Sequence, residues 1–212
     1  MERVDRTELL DDPGLPAEVV AAAYRDLART HRWLGNTAAL KRLLRQGPRR
    51  VQSVLDIGCG QGALLAELQA ELGFEAIGFD LRPAPSAAPV RILCGDALHD
   101  ALPPCDVALA VCIVHHFSPE EIVALIRNVA KSSKRLIVLD LVRHRLPLVL
   151  FRIFATPLLH PINVADGQTS IRRAYTPREL ARIVDEALAG TNARVVHEVA
   201  PAYTRQIFDI RW

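Results

Sequence analysis

Aromatic residues make up only 5% of this 212-residue chain, and lysine is scarcer still, with 3 against 23 arginines. So few rings leave no stacking platform for single-stranded nucleic acid. Lys+Arg (26) and Asp+Glu (24) nearly cancel to a net charge of +2, so the electrostatic footprint of a nucleic-acid binder is missing as well. The excess of arginine over lysine reads as a compositional bias rather than an anion site. The four cysteines, Cys59, Cys94, Cys105 and Cys112, include no Cys-x-x-Cys pair. Neither a structural zinc nor a disulfide framework is expected, and no metal ligands stand out. No stretch reaches the 18 or so uncharged apolar residues of a membrane span. Met1–Arg6 has no apolar core of a secretory signal, so a cytoplasmic location is expected. What remains is 50% hydrophobic and 24% charged, an ordinary globular mixture with length for one good-sized core.

Residues 1–15 read as loose, with Asp11-Asp12-Pro13-Gly14 as a turn. Helical patterns follow from Pro16 to about Arg29, and from Asn36, read as an N-cap, to Gly47-Pro48. Together 1–50 form a helical extension too small to hold a core alone, so it is read as a cap on a domain spanning 51–212. From Val51 onward short apolar runs alternate with helical ones. Strands are expected at Val54–Ile57, Ala76–Phe79, Arg91–Leu93, Asp106–Val114, Leu136–Leu139, Ala193–Val199 and Arg205–Ile210. Helices are expected from Gln61 to Leu72 and after the capping patterns Ser118-Pro119-Glu120-Glu121 and Thr176-Pro177-Arg178-Glu179. This alternation predicts an α/β fold: a doubly wound, mostly parallel seven-stranded sheet with an antiparallel last strand. Three prolines between Asp80 and Val90 leave no room for a full helix there, so that crossover should be an abbreviated loop.

The chemistry concentrates in Asp56-Ile57-Gly58-Cys59-Gly60-Gln61-Gly62-Ala63, where the first strand hands over to a helix at the carboxyl edge of the sheet. Doubly wound folds bind ligands at that edge. Glycines at alternate positions suit a backbone that turns through positive φ or approaches a ligand closely. Gly58-x-Gly60-x-x-Ala63 with Asp80 downstream also satisfies the loose dinucleotide pattern, so a nicotinamide-dependent oxidoreductase is one alternative. Against it, a carboxylate at Asp56 would repel a pyrophosphate, and Gly62 is a glycine that pattern does not require. Carboxylates at the tips of adjacent strands favour a cofactor with a ribose and a positive charge, such as S-adenosylmethionine.

On these residues the chain resembles the class I S-adenosylmethionine-dependent methyltransferases, and most of all their small-molecule, quinone-biosynthesis-like branch. Val54–Gly62 is similar to the first motif of that family, and Asp80 to the acidic residue on the ribose hydroxyls. Cys94-Gly95-Asp96-Ala97 is similar to the motif that reaches the adenine, and Cys105–Cys112 to the fourth-strand motif. The resemblance therefore implies a cofactor site of Asp56, Gly58, Cys59, Gly60, Gly62, Asp80, Leu81, Asp96, Ala97 and Val111. It implies an enzyme that methylates a small lipophilic acceptor. O-methylation of a phenol, quinol or polyketide-like hydroxyl in secondary metabolism is the first expectation and C-methylation the second. A non-catalytic regulatory protein that keeps the cofactor fold is a further alternative. No Asn-Pro-Pro-Tyr follows the fourth strand, so a nucleobase or amide acceptor is disfavoured.

Candidates for the acceptor side lie at the same edge. Methyl transfer to a hydroxyl also removes a proton, so His115 and His116, after the fourth strand, are read as candidate bases or as walls of the cofactor pocket. Asp140 and Arg143 follow the fifth strand, Tyr175 precedes a helix, and Trp33 sits in the cap; all four are read as substrate contacts. The stretch 146–162, opening an insertion that runs to about 175, is apolar and broken by prolines. It is read as a lid over a lipophilic acceptor, with peripheral membrane contact as a second reading. The sequence sets no oligomeric state.

Overall fold

A computed structural model describes residues 1–12, 14–47, 49–82 and 88–212. Its sheet contains β1 (Ser53–Ile57), β2 (Glu75–Asp80), β3 (Arg91–Cys94), β4 (Val107–Val111), β5 (Arg135–Asp140), β6 (Arg194–Val199) and β7 (Gln206–Arg211). They lie in the order β3-β2-β1-β4-β5-β7-β6. Every pairing from β3 to β5 is parallel, and β7 runs antiparallel to both β5 and β6. The strand order reverses between β1 and β4, which opens the crevice where such sheets bind ligands. The predicted architecture is therefore the observed one. Residues 83–87 of the short crossover lie outside the described residues, as does Pro13 of the predicted turn.

Central strands need apolar residues on both faces, and β4 (Val-Ala-Leu-Ala-Val) and β5 are buried throughout. On one face α4 (Pro119–Val129) and α7 (Pro177–Leu188) place Ile122, Leu125, Ile126, Leu180 and Val184 against Leu136, Val138 and Phe208. On the other, α2 (Asn36–Arg45) and α3 (Ala63–Leu72) place Leu40, Leu43, Leu44, Leu65 and Leu68 against Val54, Leu109, Ile137 and Ile207. The second half of the N-terminal extension is thus a core layer. Truncating the fully buried Leu40 to alanine would cost about 2–5 kcal/mol.

Both predicted capping boxes form, Ser118 with Glu121 and Thr176 with Glu179. Three local expectations change. Asn36 is the first residue of α2 and not its cap; Gly35, at φ 71, turns the chain into the helix. The fourth strand stops at Val111, because Cys112 adopts φ 52 and a 3-10 turn follows over Val114–His116. Residues 1–15 are not loose throughout, since the segment from Arg3 to Leu10 is pinned across the domain by hydrogen bonds.

Arg135 locks the amino end of this scaffold. Its guanidinium meets the Asp209 carboxylate through two nitrogens, at 2.7 and 3.0 Å, and also donates to the Leu43 and Gln46 carbonyls at the end of α2. The arginine satisfies carbonyls that the helix terminus leaves unpaired. The apolar insertion folds as α5 (Arg145–Leu150), a π-helical turn over Phe151–Ala155, a 3-10 turn over Thr156–Leu158 and α6 (Pro161–Arg173). Gly167 lets α6 close on the Phe151 ring, which leaves no room for a Cβ there.

Candidate active site

The turn after β1 is shaped by its glycines. Gly58, Gly60 and Gly62 all have positive φ, at 72, 54 and 70°. A Cβ on Gly58 would meet the Ile113 side chain at 2.8 Å, and one on Gly60 would meet the Tyr24 ring at 2.7 Å. At both positions strain and crowding demand glycine. Asp80, at the tip of β2, accepts from Gly60 N at 2.8 Å and from Arg82 N at 2.9 Å. Two backbone donors on one carboxylate fix the loop and the strand tip relative to each other.

Asp56 is the unusual group. It is 3% exposed and has no hydrogen-bond or ion-pair partner among the described residues. Burial, with the neighbouring Asp80 charge adding to it, pushes its pKa up to about 7. A buried carboxylate facing another carboxylate suits a ligand that brings a positive charge.

The other predicted donor residues divide. Leu81 is exposed at the tip of β2, and Val111 ends β4 beside the crevice. The Cys59 side chain packs against Gly78 of β2, and burial pushes its thiol pKa up. Asp96 uses its oxygens on Leu98 N (2.9 Å) and His99 Nδ1 (2.7 Å), and Ala97 is in the core.

Beyond Cys112 the chain builds a second polar centre. The His115 ring is almost fully buried; Nδ1 lies 2.7 Å from Asp140 Oδ1, and the His115 backbone N–H donates to Asp140 Oδ2 at 2.9 Å. Leu141 N donates to Asp140 Oδ1 at 2.6 Å. On the far side of the ring, Nε2 lies 3.6 Å from Glu8 Oε1, and His116 Nε2 lies 3.7 Å from the same oxygen. Ser170 Oγ donates to Glu8 at 2.5 Å. Burial opposes the His115 imidazolium, but Asp140 and Glu8 raise its pKa to about 9. Burial likewise works against the Glu8 carboxylate, yet His115, His116 and Ser170 pull its pKa down to about 2. The buried Cys112 thiol feels Asp140, Glu8 and Asp56 together, so this centre adjoins the glycine loop.

Glu8 arrives on a strap. Arg3 donates to the carbonyls of Arg173 (2.7 Å), His115 (3.1 Å) and Phe117 (3.0 Å), and its guanidinium lies over the Tyr175 ring. Arg173 donates to the Arg6 and His116 carbonyls, and Asp166 accepts from Leu9 N and Leu10 N. The sequence reading missed this strap, and no local signal could have found it.

Three predicted substrate contacts fall elsewhere. Tyr175 is in the core, its hydroxyl donating to Phe117 O at 2.7 Å, because an apolar ring beside α7 completes that layer. Arg143 is buried against Glu179 at 2.5 Å, where it backs the α7 capping box. Trp33 is 57% exposed, with Arg29 over its ring. It follows Tyr24 by nine residues, roughly 13 Å along α1 (Ala17–Trp33), and Tyr24 is the ring that roofs Gly60. Asp140 does reach the centre, but as the group that orients His115. An open concavity of about 450 Å³, lined by Leu44, Arg45, Arg50, Leu72 and Phe74 among others, lies at the opposite edge of the sheet.

Residues 54–135, which hold the glycine loop, β2 to β4 and the His-His turn, match the family model for a methyltransferase domain. No curated protein matches by sequence. Among solved structures, the plantazolicin methyltransferase BpumL in complex with SAH aligns at TM-score 0.68 and 14% identity, covering 95% of this chain and 91% of that one. A putative O-methyltransferase from Nostoc punctiforme aligns at TM-score 0.62 and 16% identity, over 100% of this chain and 64% of that one. The mitomycin 7-O-methyltransferase MmcR aligns at TM-score 0.58 and 20% identity, over 87% of this chain and 56% of that one. The fold is that of the class I methyltransferases. Within it, residues 54–135 are similar to a methyltransferase domain.

Proposed function

We propose that this protein is an S-adenosylmethionine-dependent methyltransferase acting on a hydroxyl of a small lipophilic acceptor. The observation that carries the donor assignment is the buried Asp56 carboxylate, without a partner among the described residues, beside a loop whose glycines leave no room for side chains. It fits a ligand with an α-ammonium group, and Asp80 fits its ribose. Gly58 and Gly60 would let the backbone approach the methionine portion, with Tyr24 above. Leu81 and Val111 would flank the adenosine. Bound there, the donor supplies an electrophilic methyl whose C–S bond breaks as the acceptor bond forms, the electron pair going to sulfur. The chain's own contribution is placement, since holding two reactants in line supplies much of such a barrier. Asp140 orients His115, and the His115, His116 and Glu8 centre is where the acceptor hydroxyl would be activated.

Support for a lipophilic acceptor comes from the insertion, where Leu146, Val149, Ile153, Phe154 and Leu158 are exposed together. No helix among the described residues is long and apolar enough to cross a membrane; contact with a membrane surface through 146–162 is the second use of this patch. Mass-spectrometric turnover on a panel of phenols, quinols and polyketide-like hydroxyls tests the acceptor class. Methylation of one such hydroxyl supports the reading, and transfer only to carbon overturns the O-methyl assignment. Liposome co-sedimentation tests the surface contact: loss of vesicle binding in Phe154→Asp supports it, and no binding by the unaltered chain removes it.

A further inference from the structure

We propose that Glu8, His115 and His116 form a binding site for one divalent transition-metal ion, with zinc as its simplest occupant. The argument begins with convergence. The imidazole Nε2 atoms of two successive residues point at one carboxylate oxygen, at 3.6 and 3.7 Å, and all three donor atoms lie within 4.8 Å of one another. An ion pair would need only one of these rings. Metal–ligand distances of about 2.0–2.2 Å in tetrahedral geometry place donor atoms roughly 3.3–3.5 Å apart, so small side-chain shifts would close the set. The ligand chemistry, two imidazoles and one carboxylate, is that of open zinc sites, which keep a fourth position for a non-protein ligand.

The surroundings support the same reading. His115 Nδ1 rests on Asp140 at 2.7 Å, which keeps a proton on that nitrogen, so Nε2 is the atom that would exchange its proton for a metal ion. Ser170 holds Glu8. The backbone carrying both histidines is clamped by Arg3 and Arg173 through the carbonyls of His115, His116 and Phe117. A ligand set whose supporting atoms are each fixed in this way is pre-organised. Cys112 stays outside it, and the Cys94 thiol is exposed at the end of β3. Beside the donor loop, such an ion would take the acceptor oxygen as a ligand and promote loss of its proton to water. This use of the ion rests on the function proposed above; the binding itself does not.

The full-length chain, stripped with a chelator and dialysed, is titrated with Zn²⁺ by calorimetry and with Co²⁺ by visible absorption. One ion per chain is expected, with cobalt bands of nitrogen and oxygen ligation and no thiolate charge-transfer band. His116→Ala and Glu8→Gln should each weaken binding by more than tenfold. Asp140→Asn should weaken it by about 10–100-fold, as removal of a carboxylate behind a ligating histidine does. Thermal melts identify any variant that fails to fold, and Glu8→Gln keeps the side-chain shape. Absence of stoichiometric binding, a thiolate band, or unchanged affinity in both His116→Ala and folded Glu8→Gln overturns the proposal. S-adenosylhomocysteine binding on the same samples separates the two claims: metal without that nucleoside leaves the site standing and defeats the methyltransferase reading, and the reverse defeats the site alone.

Discussion

Asp56 and Glu8 are both carboxylates withdrawn from water a short way apart, yet burial leaves them in opposite states. Asp56 has no ion-pair or hydrogen-bond partner among the described residues, and burial, with the Asp80 charge beside it, pushes it up to about 7. Glu8 is met by two imidazoles and a hydroxyl and is held down to about 2. The difference lies in who supplies the compensating charge. Around Glu8 the chain provides it, through long-range contacts; around Asp56 none of the described residues does, and a cationic ligand would. The glycine loop beside Asp56 comes from one contiguous strand–loop–helix unit, whereas the Glu8 centre is assembled from a strap, two histidines and α6 brought together from across the sequence.

The largest effect should come from breaking the scaffold under both halves. Arg135→Ala leaves Asp209 buried with only Arg211 as a partner and uncaps α2. It should cost about 3–5 kcal/mol, the range for breaking a buried ion pair, read as a lower urea midpoint. Next, the halves should separate. Arg3→Ala unpins the strap and should lower turnover by roughly 100-fold, the penalty for a misplaced reacting group, while calorimetry finds S-adenosylhomocysteine affinity unchanged. A matching loss of donor affinity would show that the two halves are not independent.

The Asp56 side of the comparison predicts a pH dependence. Its folded pKa lies above the unfolded value of about 3.9. The folded chain therefore holds a proton that the unfolded chain releases, and Asp56 erodes stability as pH rises from about 4 to about 7. A bound ammonium group favours the ionised form, so donor affinity should climb roughly tenfold between pH 6 and 8. Titrations across that range check this, and Asp56→Asn should flatten the profile. The smallest effect is expected for Trp33→Ala. With the ring mostly in solvent, stability should move by less than about 0.5 kcal/mol and turnover should stay level, as melts and rate assays would report.

The same contrast explains what could be read from the sequence. The succession of strands and helices along the chain, both capping boxes and the Asp56–Gly62 turn were legible because each is encoded by neighbours along the chain. The reading of the fourth strand overran because 107–114 is apolar throughout, and apolarity does not register the left-handed turn at Cys112. Tyr24 was passed over for the larger Trp33, since composition cannot say which ring of a helix lies over Gly60. The Glu8 centre was invisible for a different reason. Glu8 and the Ser170 that holds it are 162 positions apart, and a single glutamate in a polar N-terminal stretch carries no local pattern.

The account turns on the donor site. Its most direct test is calorimetric titration of the intact chain with S-adenosylhomocysteine and, separately, with NAD, repeated on Asp80→Asn. Saturable binding of the former, little or none of NAD, and about a tenfold or greater weakening in Asp80→Asn, the scale of a lost hydrogen bond to a charged group, are predicted. Preferential binding of NAD, or no binding of S-adenosylhomocysteine by the folded chain, would contradict it.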